Sequence, residues 1–163
     1  MAFCFRATSR RATVAASPLW SPQRMERIQK CLFQNYRKLR TLPRVAYTAG
    51  SLSLAIVELL VHTDPDIVPN DLAAHEIEIP DSVTRRVIQR GDLSEGWDSH
   101  DDLGQCQGIG EAWLHSGGEC VLVVPSAIVP VESNYLINPN HPDAQWIEVV
   151  SSEPFSFDPR LLR

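Results

Sequence analysis

The chain has 163 residues, 44% of them hydrophobic and 21% charged, with a formal net charge of −5. A chain of this length makes one domain that buries about two-thirds of the surface its unfolded form exposes, and no apolar run in it approaches the ~20 residues that span a bilayer. Cys4, Cys31, Cys106 and Cys120 are scattered without C-x-x-C spacing or a neighbouring histidine pair, which argues against a disulfide scaffold or a zinc site and for a reducing, metal-free setting.

The charge is unevenly divided. Residues 1–44 hold 10 of the 15 basic residues and one of the 20 acidic ones, a charge of +9 against −14 for the remainder. The first 25 residues are rich in Arg and Ser and lack acids, as a transit peptide does, and they contain no apolar stretch of the kind a secretory signal needs. From Met25 to Arg40, Ile28, Cys31, Leu32 and Leu39 form a weak helical face.

At Val45 the texture changes. A short strand is predicted to end near Tyr47 and a helix to begin at Ser51, with Gly50 or Ser51 as its cap and Leu52, Ala55, Ile56, Leu59 and Leu60 as its apolar stripe. Glu58 falls beside that stripe, between Val57 and Leu59. A carboxylate there is either exposed at the helix edge or held in a cleft. Pro65 ends the element, and the alternation from Leu72 to Ile79 predicts a half-buried strand. A short helix is expected over Ser82 to Gln89, then a loop, then a helix from about Asp101 to Ser116 stopped by Gly117-Gly118.

Cys120 to Val124 reads as a buried strand, short and β-branched, whose end Pro125 marks by removing a ladder donor. Ser126 therefore stands where a strand opens, either as a turn serine bonding its own backbone or as a hydroxyl that meets a ligand. Asn134 and Asn138 lie in Asn-Tyr and Asn-Pro-Asn-His-Pro strings and read as structural turn residues, with cleft lining as the alternative. Strands are expected near Gln145 to Val150 and Phe155 to Phe157. The whole is a mixed α/β or α+β domain. No phosphate-loop, dinucleotide-fingerprint or H-E-x-x-H string is present, Ser126 lacks the G-x-S-x-G frame of a hydrolase nucleophile, and the five histidines are isolated.

Several strings in order resemble one family. They are Tyr47, the Ala-Gly-Ser-Leu-Ser-Leu-Ala helix start, Glu58 eleven residues after Tyr47, Glu-Ile-Glu-Ile-Pro-Asp at 76–81, Gly-Glu-Ala-Trp-Leu at 110–114, Val-Pro-Ser-Ala-Ile-Val-Pro around Ser126, Asn-Tyr-Leu-Ile-Asn-Pro-Asn-His-Pro at 134–142 and Pro-Phe-Ser-Phe-Asp-Pro-Arg-Leu at 154–161. Together they resemble the RES domain, a family named for its Arg, Glu and Ser motif residues, and the likeness runs from about Arg44 to Leu162.

The resemblance implies a single domain with an ADP-ribosyltransferase-like mixed sheet and flanking helices. It implies a toxin-type enzyme that cleaves the nicotinamide–ribose bond of NAD+ by phosphorolysis or hydrolysis. NAD+ would be substrate, with no resident cofactor and no metal. It assigns Glu58 and Ser126 to catalysis and Tyr47 to NAD+ binding. Cleavage builds positive charge on the ribose, which a fixed carboxylate in a water-poor cleft stabilises, and an aromatic face suits the cationic nicotinamide ring. The implied partner is an Xre-type antitoxin, with a homodimer inside the toxin–antitoxin complex, and the implied compartment is bacterial cytoplasm. No membrane and no direct nucleic-acid contact is expected.

One motif departs from the family. Its members carry Gly-Gly-Arg-Trp-Asn about ten residues before the tyrosine, where this chain has Asn35-Tyr36-Arg37-Lys38-Leu39. Arg37 has the right spacing, and its guanidinium fork suits a diphosphate, but the glycines that let a backbone approach a pyrophosphate are missing. Phe5-Arg6-Ala7 resembles the family's opening strand, while residues 8–43 read as a divergent insert or a reading-frame change. The chain thus divides into an atypical basic segment, 1–43, and a RES domain, 44–163. Two alternatives to NAD+ cleavage follow: a protein ADP-ribosyltransferase, or an inactive RES-like module that only binds.

Overall fold

The computed structural model describes residues 11–16, 45–62, 72–99 and 104–162. Its strands are β1 (Arg11–Ala16), β2 (Ala46–Ala49), β3 (Leu72–Glu78), β4 (Arg85–Val87), β5 (Val121–Pro125), β6 (Ser133–Ile137) and β7 (Glu148–Phe155); its helices are α1 (Leu52–Val61) and α2 (Gly104–Ser116). The strands form one mixed sheet in the order β4-β5-β6-β2-β1-β3-β7. Among the described residues only β4 and β5 pair in parallel, and α2 supplies the crossover between them that a parallel pair requires. The remaining neighbours are antiparallel.

β5 is a continuous apolar run because it is buried on both faces, with Val121, Leu122 and Val123 all enclosed. The registers Tyr47↔Leu136, Ala49↔Asn134, Leu122↔Leu136 and Val124↔Asn134 put these side chains on one face of the sheet, since alternate strand residues point the same way. Both helices cover that face. Trp113 and Ile109 of α2 pack against Leu122, Leu136 and Tyr47, while Leu54, Ala55 and Leu59 of α1 pack against Ala49. On the opposite face Val121, Val123 and Ile137 meet Ile79, Val83 and Ile147.

α1 begins where its sequence predicts. Ser51 is the N-cap, extended at φ −148° and ψ 153°, and its hydroxyl accepts from the Leu54 amide at 3.0 Å. α2 ends at Gly117, whose φ of +58° is the left-handed conformation that glycine adopts without strain.

Three expectations are corrected. Residues 85–87 within the expected helix Ser82–Gln89 form strand β4, because parallel pairing with β5 overrides local propensity. Ser133–Ile137, read as turn chemistry, is strand β6 at the middle of the sheet, held by β5 on one side and β2 on the other. The two strands expected near 145–150 and 155–157 are a single strand, β7, preceded by a 3₁₀ turn at Pro142–Trp146. Pro154 lies within β7, which is an edge strand, where a missing donor is tolerated. β1 falls inside the basic segment, at residues for which no element was expected, and the opening-strand likeness at Phe5-Arg6-Ala7 lies outside the described residues. The helical face over 25–40, the Pro65 stop and Arg37 lie outside the described residues.

Candidate functional site

The seam between the two helices on the covered face of the sheet carries the polar groups. α1 turns Glu58 inward with Leu54, Ala55 and Leu59, and the carboxylate is only 5% exposed. The cleft option for Glu58 is therefore the one realised. A buried carboxylate needs partners, and two come from the sheet. The Ser126 hydroxyl donates to Glu58 Oε1 at 2.8 Å, and the Asn134 amide Nδ2 donates to the same oxygen at 2.6 Å. Ser126 is fully buried, at the end of β5, and its Oγ also accepts from the Ile128 and Val129 amides at 3.1 and 3.0 Å. The turn reading of Ser126 is realised: the hydroxyl fixes its own turn and spends its proton on Glu58.

Tyr47 joins this group from β2. Its phenol pKa is raised well above the ordinary 10.0, first by burial, then by the charge of Glu58 and a hydrogen bond with it, while a hydrogen bond with Asn134 acts the other way. Tyr47 and Asn134 stand diagonally across the β2–β6 pairing on one face, within reach of each other at such positions. The structure thus brings Tyr47, Glu58 and Ser126 together.

Asn134 is the residue whose turn reading the structure overturns. A polar Asn-Tyr step among turn formers suggested a loop, yet Asn134 is 2% exposed and central in the sheet. The signal that could have found it is alternation: Asn134 and Leu136 point one way, Tyr135 and Ile137 the other. Asn138, by contrast, does serve a turn, its Oδ1 accepting from the Asn140 amide at 3.0 Å.

A second set of contacts fixes α1 over the sheet. The Ser51 hydroxyl donates to Glu132 Oε2 at 2.5 Å, the Gly50 amide donates to the Ser133 carbonyl at 2.9 Å, and the Ser126 amide donates to the Glu132 carbonyl at 3.0 Å. The start of α1 and the loop carrying Ser126 are therefore tied directly, which sets the Glu58 to Ser126 distance. A Cβ at Gly50 would lie 2.9 Å from the Ser133 carbonyl oxygen, so only glycine fits there. Among the described residues no group of His, Cys, Asp and Glu is arranged to hold a metal ion, and no helix is long and apolar enough to cross a membrane.

The model of the RES domain family matches residues 4–158, reaching upstream of Arg44 into the basic segment. A protein of Sphingobium sp. named "Prs ADP-ribosylating toxin" is 38% identical over 121 residues, 73% of this chain and 75% of that protein. Two proteins named "Toxin Res" are each 38% identical: one from Yersinia enterocolitica over 71% of this chain and 76% of its own length, one from Pseudomonas putida over 72% and 79%. With the family match covering most of its length and named toxins among its relatives, the chain belongs to the RES domain family.

Proposed function

We propose that the protein is a toxin-type enzyme that cleaves the bond between nicotinamide and ribose in NAD+. The observation that carries this reading is the buried Glu58 carboxylate, pinned at Oε1 by Ser126 and Asn134 and faced by Tyr47. Oε1 takes both donors, which fixes the orientation of the carboxylate. As the C–N bond breaks, its electron pair returns to the pyridine nitrogen and positive charge develops on the ribose. A carboxylate already oriented by the fold stabilises that charge without reorganising. Tyr47 offers an aromatic face to the cationic ring. Ser126 and Asn134 hold the carboxylate still. Phosphate, water or a protein nucleophile then captures the ribosyl cation.

A second reading is protein ADP-ribosylation, which the name of the Sphingobium relative favours. The two share the bond-breaking step and differ only in acceptor. The toxin names of the relatives support a toxin–antitoxin setting, with an Xre-type protein as the proposed neutralising partner and bacterial cytoplasm as the proposed compartment. Arg37 remains the proposed diphosphate contact.

Purified protein incubated with NAD+, with and without phosphate, tests the reading through nicotinamide release. Phosphate-dependent release is the outcome for phosphorolysis, phosphate-independent release the outcome for hydrolysis, and label transferred from NAD+ to protein in a lysate the outcome for ADP-ribosylation. Absence of all three would reject the enzyme reading in favour of an inactive binding module.

A further inference from the structure

Asn134 has an unspent half. Its Nδ2 serves Glu58 Oε1 at 2.6 Å, so the amide cannot be turned over without setting its oxygen against the carboxylate. The other end, Oδ1, is buried with no hydrogen-bond partner, in a residue that is 2% exposed. Burying an acceptor without a donor is unfavourable, and here the orphan sits on the same sheet face as Tyr47, diagonal to it across the β2–β6 pairing. The acceptor that this group leaves without a donor is thus Asn134 Oδ1. A ligand that satisfies it brings N–H or O–H donors and no negative charge at that end.

We propose that Asn134 determines specificity by accepting, at Oδ1, a hydrogen bond from the carboxamide N–H of nicotinamide. The proposal rests on the NAD+ cleavage reading and adds to it the feature of the substrate that the site recognises. With the ring on Tyr47 and the ribose at Glu58, the carboxamide is the donor left for the orphan acceptor. Nicotinic acid in the same place would set a carboxylate against both Glu58 and Oδ1, and a methyl ketone would keep the ring but remove the donor.

The test compares kcat/KM for NAD+ and its 3-acetylpyridine analogue in the wild type and in Asn134→Ala. The preference for NAD+ is expected to be about ten- to a hundredfold greater in the wild type than in Asn134→Ala, the range set by leaving a buried acceptor unpaired. Differences in leaving-group chemistry cancel in that ratio of ratios. An equal preference in both proteins would overturn the proposal. If Asn134→Ala does not fold, thermal stabilisation of the wild type by nicotinamide, 3-acetylpyridine and nicotinic acid decides instead: nicotinamide should stabilise most and nicotinic acid least, and equal shifts reject it. If the wild type releases no nicotinamide at all, the cleavage reading fails, while the same three ligands still judge Asn134 separately.

Discussion

Glu58 and Asp143 each accept two hydrogen bonds on one carboxylate oxygen, one from a hydroxyl and one from an N–H, in opposite settings. Asp143 Oδ2 takes both from Thr84, the hydroxyl at 2.6 Å and the amide at 3.0 Å, and the Thr84 hydroxyl in turn accepts from the Cys120 amide at 3.0 Å. This is a staple between the 3₁₀ turn at Pro142–Trp146 and the starts of β4 and β5. Its bonds to Thr84, aided by His141, hold the Asp143 carboxyl below the usual carboxylate range. Glu58 instead takes its donors from two separate strands, in a buried seam, beside a phenol whose ionisation it opposes. The number of hydrogen bonds does not separate a structural carboxylate from a chemical one. Burial, and the unspent acceptor on the neighbouring Asn134, set Glu58 apart and support its proposed chemical role.

The largest break in that comparison is Glu58→Gln. Glutamine keeps an oxygen for Ser126 and Asn134, so the fold should survive, but it removes the charge that would stabilise the ribosyl cation. Nicotinamide release should fall by about a hundredfold or more, the scale on which preorganised electrostatic groups act. Circular dichroism would report an unchanged fold. Release at the wild-type rate would remove Glu58 from the mechanism.

Ser126→Ala should act on both stability and rate. It takes one donor from Glu58 and strips the Ile128 and Val129 amides of their acceptor, which should lower unfolding free energy by about 1–3 kcal/mol. With one donor fewer to hold the carboxylate, kcat should drop roughly tenfold through misplacement. A denaturant midpoint equal to the wild type's would show that another group replaces the hydroxyl.

Tyr47 sharpens the contrast through pH. Its raised pKa means that the fold favours the neutral phenol, so this stabilisation is complete below about pH 10, the ordinary value, and is lost as pH rises toward the higher folded value. Alkaline unfolding of the wild type should therefore be steeper above pH 10 than that of Tyr47→Phe. Parallel curves would mean that the phenol ionises as freely in the fold as outside it.

Much of this site was legible in the sequence, for a local reason. The Ser51 cap, the α1 stripe and the β5 run are patterns of neighbouring residues, and they place Glu58 and Ser126 on their elements directly. Whether Glu58 faced in or out was not local: it depended on Ser126 and Asn134, 68 and 76 residues away. Asn134 reads first as a turn residue because Ser-Asn-Tyr carries the residue types of a turn, and only pairing with β2 and β5 makes it a central strand. β4 was misread for the same reason, since parallel pairing across α2 leaves no signature in three exposed residues.

The smallest expected effect lies at the other carboxylate. Asp143→Asn keeps an oxygen for Thr84 and removes a charge. Because the wild-type carboxyl has a lowered pKa, its stabilisation is present above the ordinary 3.8 and is lost as pH falls through the folded value; Asp143→Asn should therefore melt slightly earlier than the wild type at neutral pH and converge with it in acid. The same charge reaches Cys120, whose thiol is pushed up to about 11 by burial first and by Asp143 second. Removing the lesser cause should lower that value while leaving it above the ordinary 9.0, since the thiol stays enclosed. Alkylation of Cys120 followed by peptide mapping across alkaline pH measures the shift. A Cys120 that reacts like a free thiol in Asp143→Asn would show that charge, not burial, protects it. Nicotinamide release should be unchanged, as expected of a carboxylate that only staples two elements together.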